Sequence, residues 1–185
     1  MIFVTVGAQM PFDRLVRTVD EWALQRGRDD VFAQIGPSEW RPRHVRWTQF
    51  LDPGEFRARV EAATLVVAHA GMGSILTALE LGKPILVMPR RGSLKETRND
   101  HQVATAQRFL AQGRVAVAMD ETELWQKLEA ADGYRATERI SAQAAPQLLA
   151  ALRAFVLGED VLARGRDAGV ADGALAPRPD GDAAA

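Results

Sequence analysis

The sequence predicts an α/β fold built as a single Rossmann-like parallel sheet, and two observations carry that expectation. Short β-branched apolar runs alternate along the chain with segments whose apolar residues recur at three- and four-residue spacing, the order that produces a parallel sheet covered by helices on both faces. The stretch Thr64 to Pro89 holds the pattern in its densest form. There a buried run Leu65-Val66-Val67-Ala68, a glycine turn Gly71-Met72-Gly73-Ser74, an amphipathic helix and the strand Ile85-Leu86-Val87-Met88 follow one another directly.

Taken in order, Ile2 to Val6 reads as a first buried strand, and Gly7-Ala8-Gln9 as a turn into a helix opened by Pro11 and Asp13, residue types favoured in a first turn. That helix runs to Gln25 with Phe12, Leu15, Val16, Val19, Ala23 and Leu24 as one apolar stripe, and Gly27 ends it. Val31 to Ile35 and Val45 to Phe50 are the second and third strands, separated by a polar loop with Pro37 and Pro42. Asp52-Pro53 opens a helix whose buried side is marked by Phe56, Val60 and Ala63. After the central strand, Ser74 is expected to cap a helix Ile75 to Leu81 in which Leu76 serves the fold, before Gly82 and Pro84 stop it.

Beyond Met88 comes a basic loop, Arg90 to Thr97, long enough to act as a flap beside a site. Asn99 or Asp100 then caps a helix to about Gln112, Gly113 ends it, and Val115 to Ala118 supplies the last strand. Glu121 to Ala131 and Arg135 to Leu157 are closing helices, the second kinked or restarted at Pro146. Residues 1–157 therefore form the expected domain. Residues 158–185, rich in Ala, Gly, Asp and Pro with almost nothing to pack, read as a disordered tail.

Composition bounds the function. With 185 residues, 47% hydrophobic and 25% charged, the chain suits one globular domain with a sizeable core. A net charge of −1 gives no basic footprint overall, so nucleic acid is not expected as a partner. The chain has no cysteine, and its three histidines, His44, His69 and His101, lie far apart, so no metal site is expected. Met1 to Val6 lacks a basic leader, and no apolar run approaches the roughly 20 residues of a membrane span. Any membrane contact is expected to be peripheral or made through a partner.

A strand, a glycine turn and a helix N-terminus together make a phosphate site, because unpaired N–H groups point outward and the helix dipole adds positive potential. Two familiar phosphate loops do not fit the Gly71 turn: the dinucleotide fingerprint needs glycine where Leu76 stands, and the P-loop needs Ser or Thr where Pro84 stands. Gly7-Ala8-Gln9 also follows a strand and precedes a helix, so two glycine turns are expected to converge on one diphosphate. Either turn alone is equally explained as a tight strand end. His69, just ahead of the second turn, is either a phosphate ligand through a neutral imidazole or an anchor for the turn.

Read with Val4-Thr5-Val6-Gly7 and Arg98-Asn99-Asp100-His101-Gln102, the stretch resembles the C-terminal, donor-binding half of family 28 glycosyltransferases with the GT-B fold, over roughly Met1 to Leu157. The likeness is greatest to the small subunits of two-part enzymes, those of the dolichol-pathway UDP-GlcNAc transferase and of bacterial exopolysaccharide glucuronosyltransferases. The resemblance implies that Gly71, Met72, Gly73 and Ser74 hold the diphosphate and nucleoside of a UDP-sugar co-substrate, with Asn99, His101 and Gln102 facing the donor hexose. Capping alone also explains Asn99. Relatives often place a Glu on the helix after the turn for the ribose; here Thr77 stands at that position and Glu80 three residues on.

The resemblance also implies an obligate partner, because a GT-B transferase closes two such domains over its substrates. That partner would be a membrane-attached acceptor-binding subunit carrying the general base and receiving a lipid-linked saccharide acceptor. Together they would form an inverting transferase at the inner, cytoplasmic face of the plasma membrane, with no cofactor and no metal. The competing reading is a non-catalytic module of the same fold that stabilises a partner, and a third is a sugar-nucleotide epimerase, which the chain's length disfavours. For the sugar, Arg90 and Arg91 after the Ile85 to Met88 strand suit a uronate carboxylate. The pair therefore favours UDP-glucuronic acid over UDP-GlcNAc as the donor, and the alternative is that both arginines contact only the diphosphate, the partner or anionic lipid near the membrane.

Overall fold

The computed structural model describes residues 1–135 and 139–140, all within one compact unit, Met1–Ala142. The helix expected from Arg135 to Leu157 and the tail 158–185 lie, apart from Arg135, Arg139 and Ile140, outside the described residues. Six strands form one parallel sheet: β1 (Ile2–Thr5), β2 (Val31–Gln34), β3 (Arg46–Thr48), β4 (Leu65–His69), β5 (Ile85–Met88) and β6 (Ala116–Val117). Among the described residues, five α-helices connect or follow them: α1 (Asp13–Arg26), α2 (Pro53–Ala62), α3 (Met72–Glu80), α4 (His101–Ala111) and α5 (Glu121–Glu129). Strands β1, β2, β3 and β6 are shorter than the apolar runs that predicted them, with Val6, Ile35, Val45 and Ala118 buried just outside the strand ends, whereas β5 matches its run and β4 extends one residue further, to His69.

The strand order is β3-β2-β1-β4-β5-β6, with β1 pairing in parallel to both β2 and β4. The chain therefore reverses its direction of sheet growth between β1 and β4. In an open parallel sheet, that reversal leaves a crevice outside the carboxyl ends of the two strands, where ligands bind. Side-chain alternation divides the core: Ile2 and Val4 face a cluster with α1 and α5, while Phe3 and Val66 face a cluster with Val60 of α2, Ile75 and Leu79 of α3 and Ala106 of α4.

Helix ends follow from local chemistry in part. Asp52 and Glu55 form a reciprocal capping box at α2, with Pro53 at its start, and Asp120 accepts from Glu123 N at α5. Gly27 closes α1 at φ 62, where a side chain would be strained. Three expectations are corrected. Helix α3 begins at Met72, three residues before Ile75, with Gly71 as its N-cap; Ser74 lies inside the first turn, buried, and caps nothing. Leu76 is 38% exposed and Leu24 55% exposed, so neither belongs to the core, while Trp22 is buried on α1. Pro11 precedes the α1 N-cap, Phe12, instead of opening the helix.

Candidate functional site

Gly7 follows β1 and Gly71 follows β4, so the two turns lie side by side at the switch point and meet on the ring of His69. A Cβ on Gly7 would come to 2.9 Å from His69 Cε1, and one on Gly71 would overlap the ring at Nε2. Only glycine leaves room for the imidazole on both sides. Gly7 also needs its freedom for φ 75. Its turn is pinned from beneath: Gly7 N donates to Thr5 Oγ1 at 3.2 Å, and Thr5 Oγ1 donates to Gln34 Oε1 at 2.6 Å, both buried at the end of the sheet.

A cavity of about 760 Å³ opens at this point. Of the residues expected to hold a donor, Gly7, Ala8, Gln9, His69, Gly71, Met72, Gly73, Ser74, Thr77, Arg90, His101 and Gln102 line it. Gly73 has open space where a Cβ would stand, and the first turn of α3 fronts the cavity with the N–H groups that no carbonyl of the helix can reach. Thr77 donates its hydroxyl to Gly73 O at 2.9 Å, back along its own helix.

Arg91 and Asn99 are not among the lining residues. Arg91 donates through its guanidinium to Met119 O at 2.6 Å, and its backbone N–H donates to Glu96, so it serves the β6 side of the sheet. Asn99 accepts from the backbone and ring of His101 at the start of α4. Arg90 does line the cavity, but it is 5% exposed and donates through one guanidinium nitrogen to Val6 O at 2.7 Å and Met10 O at 2.6 Å. Its backbone N–H donates to Gln102 Oε1 at 3.1 Å, so Gln102 too is partly engaged. The loop Arg90 to Thr97 is anchored: Glu96 takes a two-pronged ion pair from Arg14, and Asp100 accepts from Gly92 N.

The electrostatics favour an anion. Arg57, Arg90, His69 and His101 line the cavity, and among the described residues that line it there is no Asp or Glu. Burial, and second the positive charge of Arg90, lower the His69 pKa to about 4. The Thr5 carbonyl opposes the shift from nearby, yet Nδ1 has no hydrogen-bond partner among the described residues. At neutral pH the ring is uncharged, with one nitrogen able to donate and the other to accept. Burial also pulls Arg90 down to about 10, which leaves it a cation at neutral pH.

Sequence reasoning missed part of the lining. Leu51, just ahead of α2, and Pro53, Phe56 and Arg57 in its first turns also line the cavity, as does Gln34 of β2. The apolar periodicity of α2 marked Phe56 only as a core residue; nothing local distinguishes a core face from a cavity wall.

A six-stranded parallel sheet with a switch-point crevice and, among the described residues, no lining acid places the chain in the class of Rossmann-like α/β domains. Residues 1–147 match the glycosyltransferase family 28 C-terminal domain, and the chain belongs to that family. Among curated proteins, the chain is similar to the UDP-N-acetylglucosamine transferase subunit ALG13 of Yarrowia lipolytica, 26% identical with 65% of each protein covered. The mouse protein of the same name is 32% identical over 61% of this chain, which spans only 10% of that protein. Among solved structures, the solution structure of ALG13 superposes at a TM-score of 0.53 with 22% identity, covering 77% of this chain and 90% of the other. The glycotransferase of kitacinnamycin does so at 0.53 with 21% identity, covering 70% of this chain and 34% of that one. The fold is that of one half of a GT-B glycosyltransferase.

Proposed function

We propose that this chain is the donor-binding subunit of a two-part, inverting UDP-sugar glycosyltransferase. It would work at the cytoplasmic face of a membrane with a membrane-attached partner that binds a lipid-linked saccharide acceptor. The observation that carries the reading is the cavity at the β1/β4 switch point, with no acid among the described residues that line it, onto which the first turn of α3 opens. The free N–H groups of that turn suit the diphosphate, neutral His69 suits a phosphate oxygen, and the Leu51, Pro53 and Phe56 wall suits a flat base. As the acceptor hydroxyl gives its proton to a base on the partner and its oxygen bonds to the anomeric carbon, the bond to the diphosphate oxygen breaks and its electron pair leaves with UDP. Fixed N–H groups offset the charge that grows there.

The absence of any lining carboxylate among the described residues supports a general base on the partner. For the sugar, the names of the relatives support UDP-N-acetylglucosamine. For a uronate donor, Arg91 lies outside the cavity, while Arg90 lines it with Nε unpartnered among the described residues, so Arg90 alone remains as support for that reading. Calorimetric melting with UDP and UDP-sugars, with and without the partner, tests the proposal. Ligand at about one hundred times its dissociation constant should add about 2.7 kcal/mol to the stability. No shift under either condition would overturn it, and binding without any transfer by the reconstituted pair would leave the non-catalytic module as the better account.

A further inference from the structure

The loop before β3, β3 itself and the residues just after it carry a pattern the donor site does not use. From Trp40 to Phe50 the chain reads WRPRHVRWTQF, with three arginines, one histidine, three aromatic residues and no acid, in a protein whose net charge is −1. The sheet order makes β3 an edge. Trp47 is 38% exposed and Phe50 50% exposed, and Arg43, His44 and Arg46 are exposed beside them.

The segment is held as a fixed platform. Buried Asp20 of α1 accepts from the backbone N–H groups of Arg43 at 3.1 Å, His44 at 2.8 Å and Val45 at 3.0 Å, which fixes the main chain with Val45 buried in the core and Arg43 and His44 exposed. Arg41 stacks over Trp47 at 5.1 Å, and Arg17 of α1 over Trp40 at 4.6 Å, adding cations to the same edge. Arg43 and Arg46 make no side-chain hydrogen bond or ion pair among the described residues. Register pairs Arg46 with Phe32 and Trp47 with Ala33, so the two emerge on opposite faces of the edge.

We propose that this edge docks on the surface of an anionic phospholipid bilayer. Arginines attract the headgroup phosphates and carboxylates, and half-exposed Trp and Phe suit the boundary between headgroups and acyl chains. A three-residue strand offers too few main-chain groups to recruit a partner strand, and cations on both faces of an edge meet a plane more readily than a groove. The chain runs from Phe50 straight into Leu51 of the cavity wall, so docking sets the cavity beside the membrane surface.

The test is co-sedimentation of the full chain with vesicles of phosphatidylcholine alone or with about one third phosphatidylserine, at about millimolar lipid and at two salt concentrations. The chain should bind the anionic vesicles only and release at high salt. Arg43→Gln and Arg46→Gln should each lower the partition coefficient about fivefold, with melting temperature and UDP binding unchanged. Failure of wild-type binding, equal binding to both vesicles, or indifference to the double substitution would overturn the proposal. So would a preference for polyglutamate over the vesicles, which would assign the edge to an acidic protein. The UDP titration fails or succeeds separately.

Discussion

The two glycine turns that meet at His69 follow neighbouring strands, yet they pass the chain on differently. After β4, Gly71 is itself the N-cap and α3 starts at the next residue, so its first-turn N–H groups face the cavity. After β1, Gly7 adopts φ 75 and the chain detours to Phe12 before α1 starts, held by Arg90 through Val6 O and Met10 O. One turn presents a helix terminus to the cavity. The other supplies a wall and a brace, and its helix N-terminus lies beyond the detour. Similar glycine signals in sequence thus yield different chemistry, because what matters is how soon the helix begins.

Substitutions can break this contrast. The largest effect is expected from Gly71→Ala, whose Cβ would overlap the half-buried His69 ring wedged against the second turn. Overpacking of this kind costs about 3 kcal/mol, and UDP binding should be lost; melting and UDP titration read both. Normal binding by this variant would show that His69 is free to move and that the turns are not coupled.

The next effect is acid sensitivity. The folded-state pKa of His69 is depressed to about 4, below the ordinary 6.5, so the unfolded chain binds more protons between those values and stability rises with pH across that window. Lowering the pH from 6.5 to 4 should remove about 3 kcal/mol at most, with no further loss from this group below. His69→Asn should flatten that part of the stability profile; an unchanged profile would assign the acid sensitivity elsewhere.

Gly7→Ala should cost about 2 kcal/mol, from a left-handed φ of 75 and a contact of 2.9 Å with His69. Because this turn braces the site without presenting a helix end, UDP affinity should fall less than in Gly71→Ala. Gly73→Ala sharpens the comparison with the smallest effect on stability. Its Cβ meets open space inside a helix, so the melting temperature should hold or rise by an amount equivalent to about 0.5–1 kcal/mol. UDP affinity should still drop, since the methyl enters the cavity beside the proposed diphosphate. Unchanged affinity would place the diphosphate away from this turn.

Much of the fold was legible in the residues. The apolar run from Ile2, the Asp52-Pro53 start of α2, and the glycines after β1 and β4 are local patterns, and local patterns specify local structure. They set the order of strands and helices and placed most of the cavity-lining residues. Tertiary structure alone decided that β1 and β4 are neighbours, which brings Gly7 and Gly71 to opposite sides of one imidazole. It also turned Arg91 toward Met119, folded Arg90 onto the β1 turn and left Leu24 and Leu76 exposed at helical positions that read as core. A side chain's partner depends on what packs across from it. Arg90 meets Val6 and Met10 across more than seventy residues of chain, a separation that no local periodicity or propensity encodes.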